Sequence, residues 1–371
     1  MVQDAFNDFY REVAFKGGVY HGNFINDLSR FYCPHGNAEK SLMVSFTQAC
    51  QKYPHYNDFW RLYTADVEQI ECPLYLITSL ADNGVHTPGS IRGYVAAKSK
   101  VKYLEMHPYK KWEWQLTAES LERQAAFFNK TLHGPNTTQA KSVDFWPPVR
   151  LHVTEKHYAG SWRSEDEFPI ARTERRRLFL GQDGKLLNTS LSGQASVTYD
   201  AKKGPVSWKT VFPEPTEITG TCRLHLIFSA SASDADLFVT LQKLDRHGNI
   251  VHFPYHTFID DGHVAWGWLR ASKRKLAAQS FGDEVRHTHL EEDTQPLIPN
   301  QKVELDISIQ PSATLFRTGE TLVVAVQGHD FNEYSPQCQV PRAGTGCNDG
   351  QHSIFLQGSY LEAPIIPYKF A

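Results

Sequence analysis

Asp82 and His107 are the residues of this chain whose type and spacing could do acid–base chemistry. Each stands at the end of an apolar run. Leu74, Tyr75, Leu76 and Ile77 form the first, and the second runs from Val101 to His107. A continuous apolar run of this length reads as a strand covered on both faces, as in a parallel sheet. Between the runs, Thr87 can cap a helix and Pro88 can take its first position, where a missing N–H costs nothing. Ile91, Tyr94 and Val95 then recur at helical spacing. A strand, a crossover helix and a parallel strand bring both strand ends to one edge of the sheet, where open α/β sheets gather their catalytic side chains. Asp82 and His107 are therefore predicted to be neighbours, a carboxylate able to orient and charge-stabilise an imidazole. His86 is the second candidate for the base, and a structural histidine in a loop is the alternative for both.

The chain as a whole sets the limits. Its 371 residues are enough for about two domains with cores of their own. A composition of 41% hydrophobic and 21% charged residues is that of a globular protein. With a net charge of −3 it offers no basic field to nucleic acid or to an acidic membrane surface. No apolar run reaches the roughly 18 residues of a membrane helix. The first eight residues hold Asp4 and Asp8 and no apolar segment, so no signal peptide is read and a cytoplasmic protein is expected. The six cysteines, Cys33, Cys50, Cys72, Cys222, Cys338 and Cys347, have no metal-ligand spacing. Free buried thiols are expected, with Cys338 and Cys347 able to pair in an oxidising compartment. Asn-x-Ser/Thr triplets at Asn129, Asn136 and Asn188 carry no weight without a secretory signal.

Residues 7–18 read as a turn, a short amphipathic piece and a bend permitted by Gly17-Gly18. Residues 26–60, with aromatic clusters and a helical patch from Leu42 to Cys50, read as an irregular insert of the kind that caps a cleft. After the β-α-β unit, Leu121, Ala125, Phe128 and Leu132 fall on one helical face. Thr117 is placed to cap that helix and Gly134 to stop it. Beyond the Pro/Asn/Thr-rich residues 134–149 the period changes to two: Val149, Leu151, Val153; Leu224, Leu226, Phe228; Leu237, Val239, Leu241; and on to Val326. Many short alternating strands without helices predict an antiparallel sandwich of jelly-roll type. The expected organisation is α/β over residues 1–140, with a cap segment, and an all-β jelly-roll sandwich over 145–371.

Other chemistry finds little support. No His-Glu-x-x-His occurs, and His287-Thr-His289 with Glu291, Glu292 and Asp293 reads as a solvated loop rather than a metal site. Asp234 and Asp236 lack a calcium loop, and Arg172–Arg177 reads as a solvated strand edge. Phosphate loops and dinucleotide fingerprints are missing, so no cofactor and no metal are expected.

A set of pieces in fixed order resembles one family. They are Asp8-Phe-Tyr-Arg-Glu with Gly17-Gly18; His55-Tyr-Asn-Asp-Phe-Trp60; the strand–Asp82–His86-Thr-Pro-Gly stretch; Phe127-Phe128 with Leu132-His-Gly134; Trp146-Pro-Pro-Val-Arg150; Asp234-Ala-Asp236-Leu-Phe238; Gly267-Trp-Leu-Arg270-Ala-Ser272-Lys-Arg274; and Pro311 to Gly319. Together, over nearly all of the chain, they resemble the Xaa-Pro dipeptidyl-peptidase and cocaine-esterase-like (CocE/NonD) α/β-hydrolases. The resemblance implies a serine hydrolase of small-molecule esters or peptides, with a helical cap and a C-terminal jelly roll, and it puts Asp82 at the triad acid. His107 lies about three residues before the family's usual histidine, and an ungapped alignment puts Lys110 at the base position.

The family's serine sits in a Gly-x-Ser-x-Gly elbow, which exposes its Oγ above the sheet. None of the 24 glycines here is followed two residues later by a serine. The one Gly-x-Cys, Gly220-Thr-Cys222, lies in an alternating strand, and Ser45 and Ser90 have the wrong surroundings. The family's elbow precedes the Asp-Phe-Tyr-Arg-Glu group, so the sequence predicts a chain holding the C-terminal two-thirds of a hydrolase, with two strands of its sheet and no nucleophile, inactive by itself. The alternative is a non-catalytic sandwich protein that keeps a hydrolase remnant.

Overall fold

A computed structural model of the chain describes residues 1–22, 24–26, 45–82, 84–134, 138–256, 259–331 and 348–367. Cys33, Cys338, Cys347, Asn136 and part of the 26–60 insert lie outside the described residues. The sheet begins with β1 (Val2–Gln3), β2 (Leu74–Ser79) and β3 (Lys102–His107), continues into β4 (Val149–Lys156), and pairs in parallel throughout. Every residue of β2 is buried, as its unbroken apolar run requires. The predicted pair of parallel strands is thus a set of four.

Val149, Leu151 and Val153 are corrected in role. They lie on a strand that is parallel to β3 on one side and antiparallel to β5 (Ala159–Glu165) on the other. Their alternation comes from that antiparallel partner, and it hid the parallel one.

The helices also differ in detail. An aromatic group of Phe9, Tyr10, Phe15 and Trp60 packs with α1 (Phe46–Lys52). The crossover helix α2 (Thr87–Ala96) has Pro88 in its first turn, but the Thr87 hydroxyl donates to the Ser79 carbonyl at 2.6 Å instead of capping the helix. In α3 (Ala118–His133), Thr117 Oγ1 accepts from Ser120 N and Gly134 closes the helix at φ 79°. The apolar stripe of α3 faces the other way from expectation. Ser120, Ala126 and Phe127 are buried, with Phe127 against Tyr75 of β2 at 5.6 Å, whereas Leu121 and Leu132 are 50% and 70% exposed. A helix laid on a sheet through one large ring and two small residues sits close to it. The Leu/Phe stripe, nearly half a turn away, stays outside.

The remaining strands are antiparallel among themselves. β6 (Glu174–Leu180), β7 (Thr216–Ala230), β8 (Asp236–Leu244), β9 (Ala265–Arg270), β10 (Val303–Phe316), β11 (Thr321–Gln327) and β12 (Gln351–Ile366) carry most of the core. The pairing runs β4-β10-β7-β12-β6, so one large mixed sheet crosses from the parallel half into the antiparallel half. Leu224, Leu226 and Phe228 of β7 bury against the same core as Leu237, Val239 and Leu241 of β8. The alternation predicted these faces. Gly220-Thr-Cys222 lies within β7, where burial pushes the Cys222 thiol up to about 12. Cys50 and Cys222 are buried free thiols, and Cys72 is an exposed one.

Buried charge joins distant segments. Arg92 of α2 ion-pairs with Glu12 and with Glu284, its Nε 3.0 Å from Glu284 Oε2, and donates to Asn7 Oδ1 at 2.6 Å. Asp8 accepts from Arg11 at 2.8 Å and from Arg286 at 2.6 Å. Burial works against ionisation of Asp8, but Arg11, Arg286 and Arg92 outweigh it and hold the carboxyl below its usual range. The Asp-Phe-Tyr-Arg-Glu group thus fastens the N-terminal segment to α2 and to residues 284–288.

Breaking such a group by removing one partner leaves uncompensated buried charge, at a cost of about 3–5 kcal/mol. Arg92→Met is expected to lower the urea midpoint by that amount of stability with the slope unchanged; a loss under about 1 kcal/mol contradicts this role.

Candidate active site

Ser79 ends β2 in register with His107 of β3, so both strands reach the same edge. A single 3₁₀ turn, Leu80–Asp82, then carries Asp82 just beyond that edge. Ser79 fixes the turn: its hydroxyl accepts from Ala81 N at 3.1 Å and donates to the Tyr109 carbonyl at 2.5 Å. The loop after β3 is thereby tied to the loop after β2.

Asp82 is 4% exposed. Its Oδ2 lies 3.6 Å from His86 Nε2 and 3.3 Å from Lys111 Nζ, and Lys111 Nζ is itself 3.0 Å from His86 Nε2. Burial alone would raise the Asp82 pKa, but His86, His256 and Lys111 outweigh it and hold it below the usual carboxylate range. Burial pushes His86 down to about 4 despite the carboxylate, so near neutrality His86 is an uncharged ring able to accept from the Lys111 ammonium. The ring stacks on Phe6 at 5.7 Å. A second carboxyl, Asp4, accepts from Ser79 N at 2.7 Å, and burial with the Asp82 charge pushes it up to about 7.

The hairpin of Phe253–Tyr255 and Ile259–Gly262 closes the other side. His256 N donates to the Ala81 carbonyl at 2.6 Å, and a Cβ on Gly84 would stand 2.7 Å from the Tyr255 hydroxyl. Only a residue without a side chain fits between that hydroxyl and the Asp82 loop.

His107 is placed on the adjacent strand end but makes no hydrogen bond to Asp82. It is fully buried, stacked on Trp114 at 5.5 Å, and neither ring nitrogen reaches hydrogen-bond geometry among the described residues. Burial pushes it down to about 3, with the Tyr109 backbone and the Asp82 charge opposing. Lys110, the residue at the aligned base position, pairs with Asp260 at 2.7 Å instead. Sequence reasoning missed Asp4, Lys111 and His256. Lys111 was one residue from a candidate, and His256 arrives from a hairpin 174 positions beyond Asp82, which no local pattern connects to it.

Elsewhere, His287 and His289 are buried rather than solvated, and burial pushes His287 down to about 4. Among the described residues no group of His, Cys, Asp or Glu could hold a metal. Asp236 is engaged by Arg270 at 2.7 and 2.8 Å, and Asp234 by Ser272, so both are structural anchors. Arg175–Arg177 lie on the exposed end of β6. Among the described residues no helix is long and apolar enough to cross a membrane.

Comparison with known proteins gives a consistent picture. The model of the X-Pro dipeptidyl-peptidase C-terminal non-catalytic domain matches residues 142–359. A crystal structure of a CocE/NonD family hydrolase from Staphylococcus aureus superposes with a TM-score of 0.90 at 32% identity, covering 98% of this chain and 67% of that one. An aminopeptidase from a marine sediment archaeon shares the fold, with a TM-score of 0.72 at 15% identity over 98% of this chain and 72% of that one. A protein of Mycobacterium bovis, provisionally named a serine esterase, is 24% identical over 53% of this chain. The match spans 32% of that relative's length.

The sealed His107 makes a test. Its folded pKa lies below the ordinary 6.5, so the unfolded chain takes up the proton first and stability falls as pH drops from about 6.5 toward 3. His107→Leu removes this loss. Relative to wild type it should gain about 2 kcal/mol between pH 7.5 and pH 5 in equilibrium unfolding. A difference that does not change with pH contradicts the buried neutral ring.

Proposed function

Because this chain belongs to the CocE/NonD family of hydrolases and carries an X-Pro dipeptidyl-peptidase C-terminal domain, we propose that it is the acid- and base-bearing part of a serine-type hydrolase of esters or Xaa-Pro amides. The observation that carries this reading is Asp82: a buried, ionised carboxylate at a parallel strand end, 3.6 Å from one imidazole and beside the strand that ends in another. In this reading residues 1–140 form part of an α/β-hydrolase domain, consistent with the parallel strands and their crossover helix. Residues 145–371 form a jelly-roll sandwich, consistent with the antiparallel core. The substrate is a small ester or peptide. Asp82 is the acid, and the base is His107 by position or His86 by distance. The serine is not among these 371 residues, which hold no Gly-x-Ser elbow.

Lys111 favours a second reading. Its ammonium sits on both Asp82 and His86, where a working triad needs an imidazole free to take a proton. The chain would then be a non-catalytic binding or structural protein built on a hydrolase scaffold.

The two readings separate in a joined protein. By itself the chain should neither hydrolyse p-nitrophenyl acetate nor be labelled by a fluorophosphonate; a labelled serine in it overturns the assignment of the nucleophile elsewhere. Joined to the unmatched part of the S. aureus chain it should do both, and Asp82→Asn should lower kcat by about 10⁴. His107→Gln and His86→Gln made in that protein identify the base. No hydrolysis in the joined protein, or activity that survives Asp82→Asn, favours the second reading.

A further inference from the structure

Three segments meet around Asp82, and each is joined to the other two. The loops after β2 and β3 are joined by the Ser79 hydroxyl, which donates to the Tyr109 carbonyl at 2.5 Å, and by Lys111 Nζ, 3.3 Å from Asp82 Oδ2. The loop after β2 is joined to the hairpin of Phe253–Tyr255 and Ile259–Gly262 by His256 N, which donates to the Ala81 carbonyl at 2.6 Å, and by the Tyr255 hydroxyl packed against Gly84. The third join closes the ring, between the loop after β3 and that hairpin. It is an ion pair, Lys110 Nζ to Asp260 Oδ1 at 2.7 Å.

The hairpin depends on such joins for its place. Among the described residues its two strands pair only with each other, so no ladder ties them to the large sheet. One side is packed, with Tyr255 stacked on Trp266 of β9 at 3.8 Å. His256, at φ 52°, holds a backbone conformation that residues other than glycine seldom adopt unless their surroundings fix it. In the ion pair the Lys110 side chain is 10% exposed and that of Asp260 65%, so the cation is packed in place and the acid meets it from the solvent side. The turn between β4 and β5 backs both partners. His157 Nε2 lies 3.3 Å from the same Asp260 oxygen, and Tyr158 donates to Glu113 Oε2, which also accepts from Lys110 N at 3.2 Å.

We infer that the Lys110–Asp260 ion pair is a clasp that holds this hairpin on the Asp82 loop, which makes Lys110 and Asp260 positioning residues for the carboxylate. Lys110 stands at the aligned base position, and the clasp gives it a positioning task there in place of proton transfer. The hairpin lies within residues 142–359, the stretch matched by the C-terminal non-catalytic domain, so the sandwich shapes the site without touching a reacting atom. A pair with one exposed partner adds little to global stability, and the clasp therefore governs local opening rather than folding. Its existence is independent of the reading of the chain as part of a hydrolase; only its bearing on catalysis rests on that reading.

The test is amide hydrogen exchange on the whole chain, which decides the clasp whether or not a joined protein hydrolyses anything. Asp260→Asn and Lys110→Met should each speed exchange of the His256 amide by on the order of two- to fivefold, with the interior amides of β7 unchanged. Exchanging the charges, Lys110→Glu with Asp260→Lys, should bring the rate back toward that of wild type. A second readout looks at the site itself. His86, which faces Asp82, Lys111, His256 and Lys16, is held by burial at about 4, and in Asp260→Asn its NMR midpoint should rise as water reaches the ring. Loss of a carboxylate acting through charge alone would lower that midpoint, so the direction separates positioning from simple electrostatics. The clasp is overturned if His256 exchange is unchanged in both single variants, if β7 speeds up equally, if the charge exchange leaves the rate as fast as in the single variants, or if the His86 midpoint stays or falls.

Discussion

The guanidinium of Arg92 is the point on which the cleft side of the molecule depends. It sits inside the protein on the crossover helix and meets two carboxylates that are remote in sequence, Glu12 from the N-terminal segment and Glu284 from the loop before β10. A cation buried this deeply is tolerable only when its charge and its donors are matched. Asn7, Glu12 and Glu284 provide that match, and in doing so they bring three separate stretches of chain to one place. Those same stretches, with residues of β7, β9 and β10, line the cleft beside Lys16.

Ser79 plays the matching part at the sheet edge. Its backbone N–H goes to Asp4, its carbonyl takes the Thr87 hydroxyl, and its own hydroxyl bridges Ala81 and Tyr109. Four segments are thus pinned around one small residue, and the position of Asp82 follows from that pinning. The electrostatics then differ between neighbours. Asp82 is kept ionised by Lys111 and the imidazoles, Asp4 is pushed toward protonation, and His107 is sealed as a neutral ring. Carboxyl groups with pKa values driven apart at one strand edge mark a place where proton-dependent chemistry can be arranged.

The parts legible in the sequence are those that local physics decides. β2 reads directly because both its faces are covered, and Thr117 and Gly134 mark the ends of α3 because caps are local. The alternation of β7, β8, β10 and β11 reads because one face of each meets a core. What failed did so where partners are remote. Val149–Val153 alternate like their antiparallel neighbours, and nothing in the stretch itself reports a parallel partner. Leu121, Phe128 and Leu132 show helical spacing, but spacing does not say which face meets the sheet; Phe127 decides that. Burial of His287 and His289, and the ion pairs of Arg92, depend on packing between segments nearly 200 positions apart. At the site, Asp82 was visible as the end of a strand, while Lys111 and His256 depend on how two loops close over it.

The central claim is that the Asp82 carboxylate is charged and acts on an imidazole beside it. The most direct measurement is an NMR titration of the histidine ring resonances in wild type and in Asp82→Asn. The account predicts that His86 titrates near pH 4 in wild type and at a lower pH once the carboxylate is neutralised, because Asp82 favours the protonated ring. A His86 midpoint that does not move, or moves upward, contradicts it.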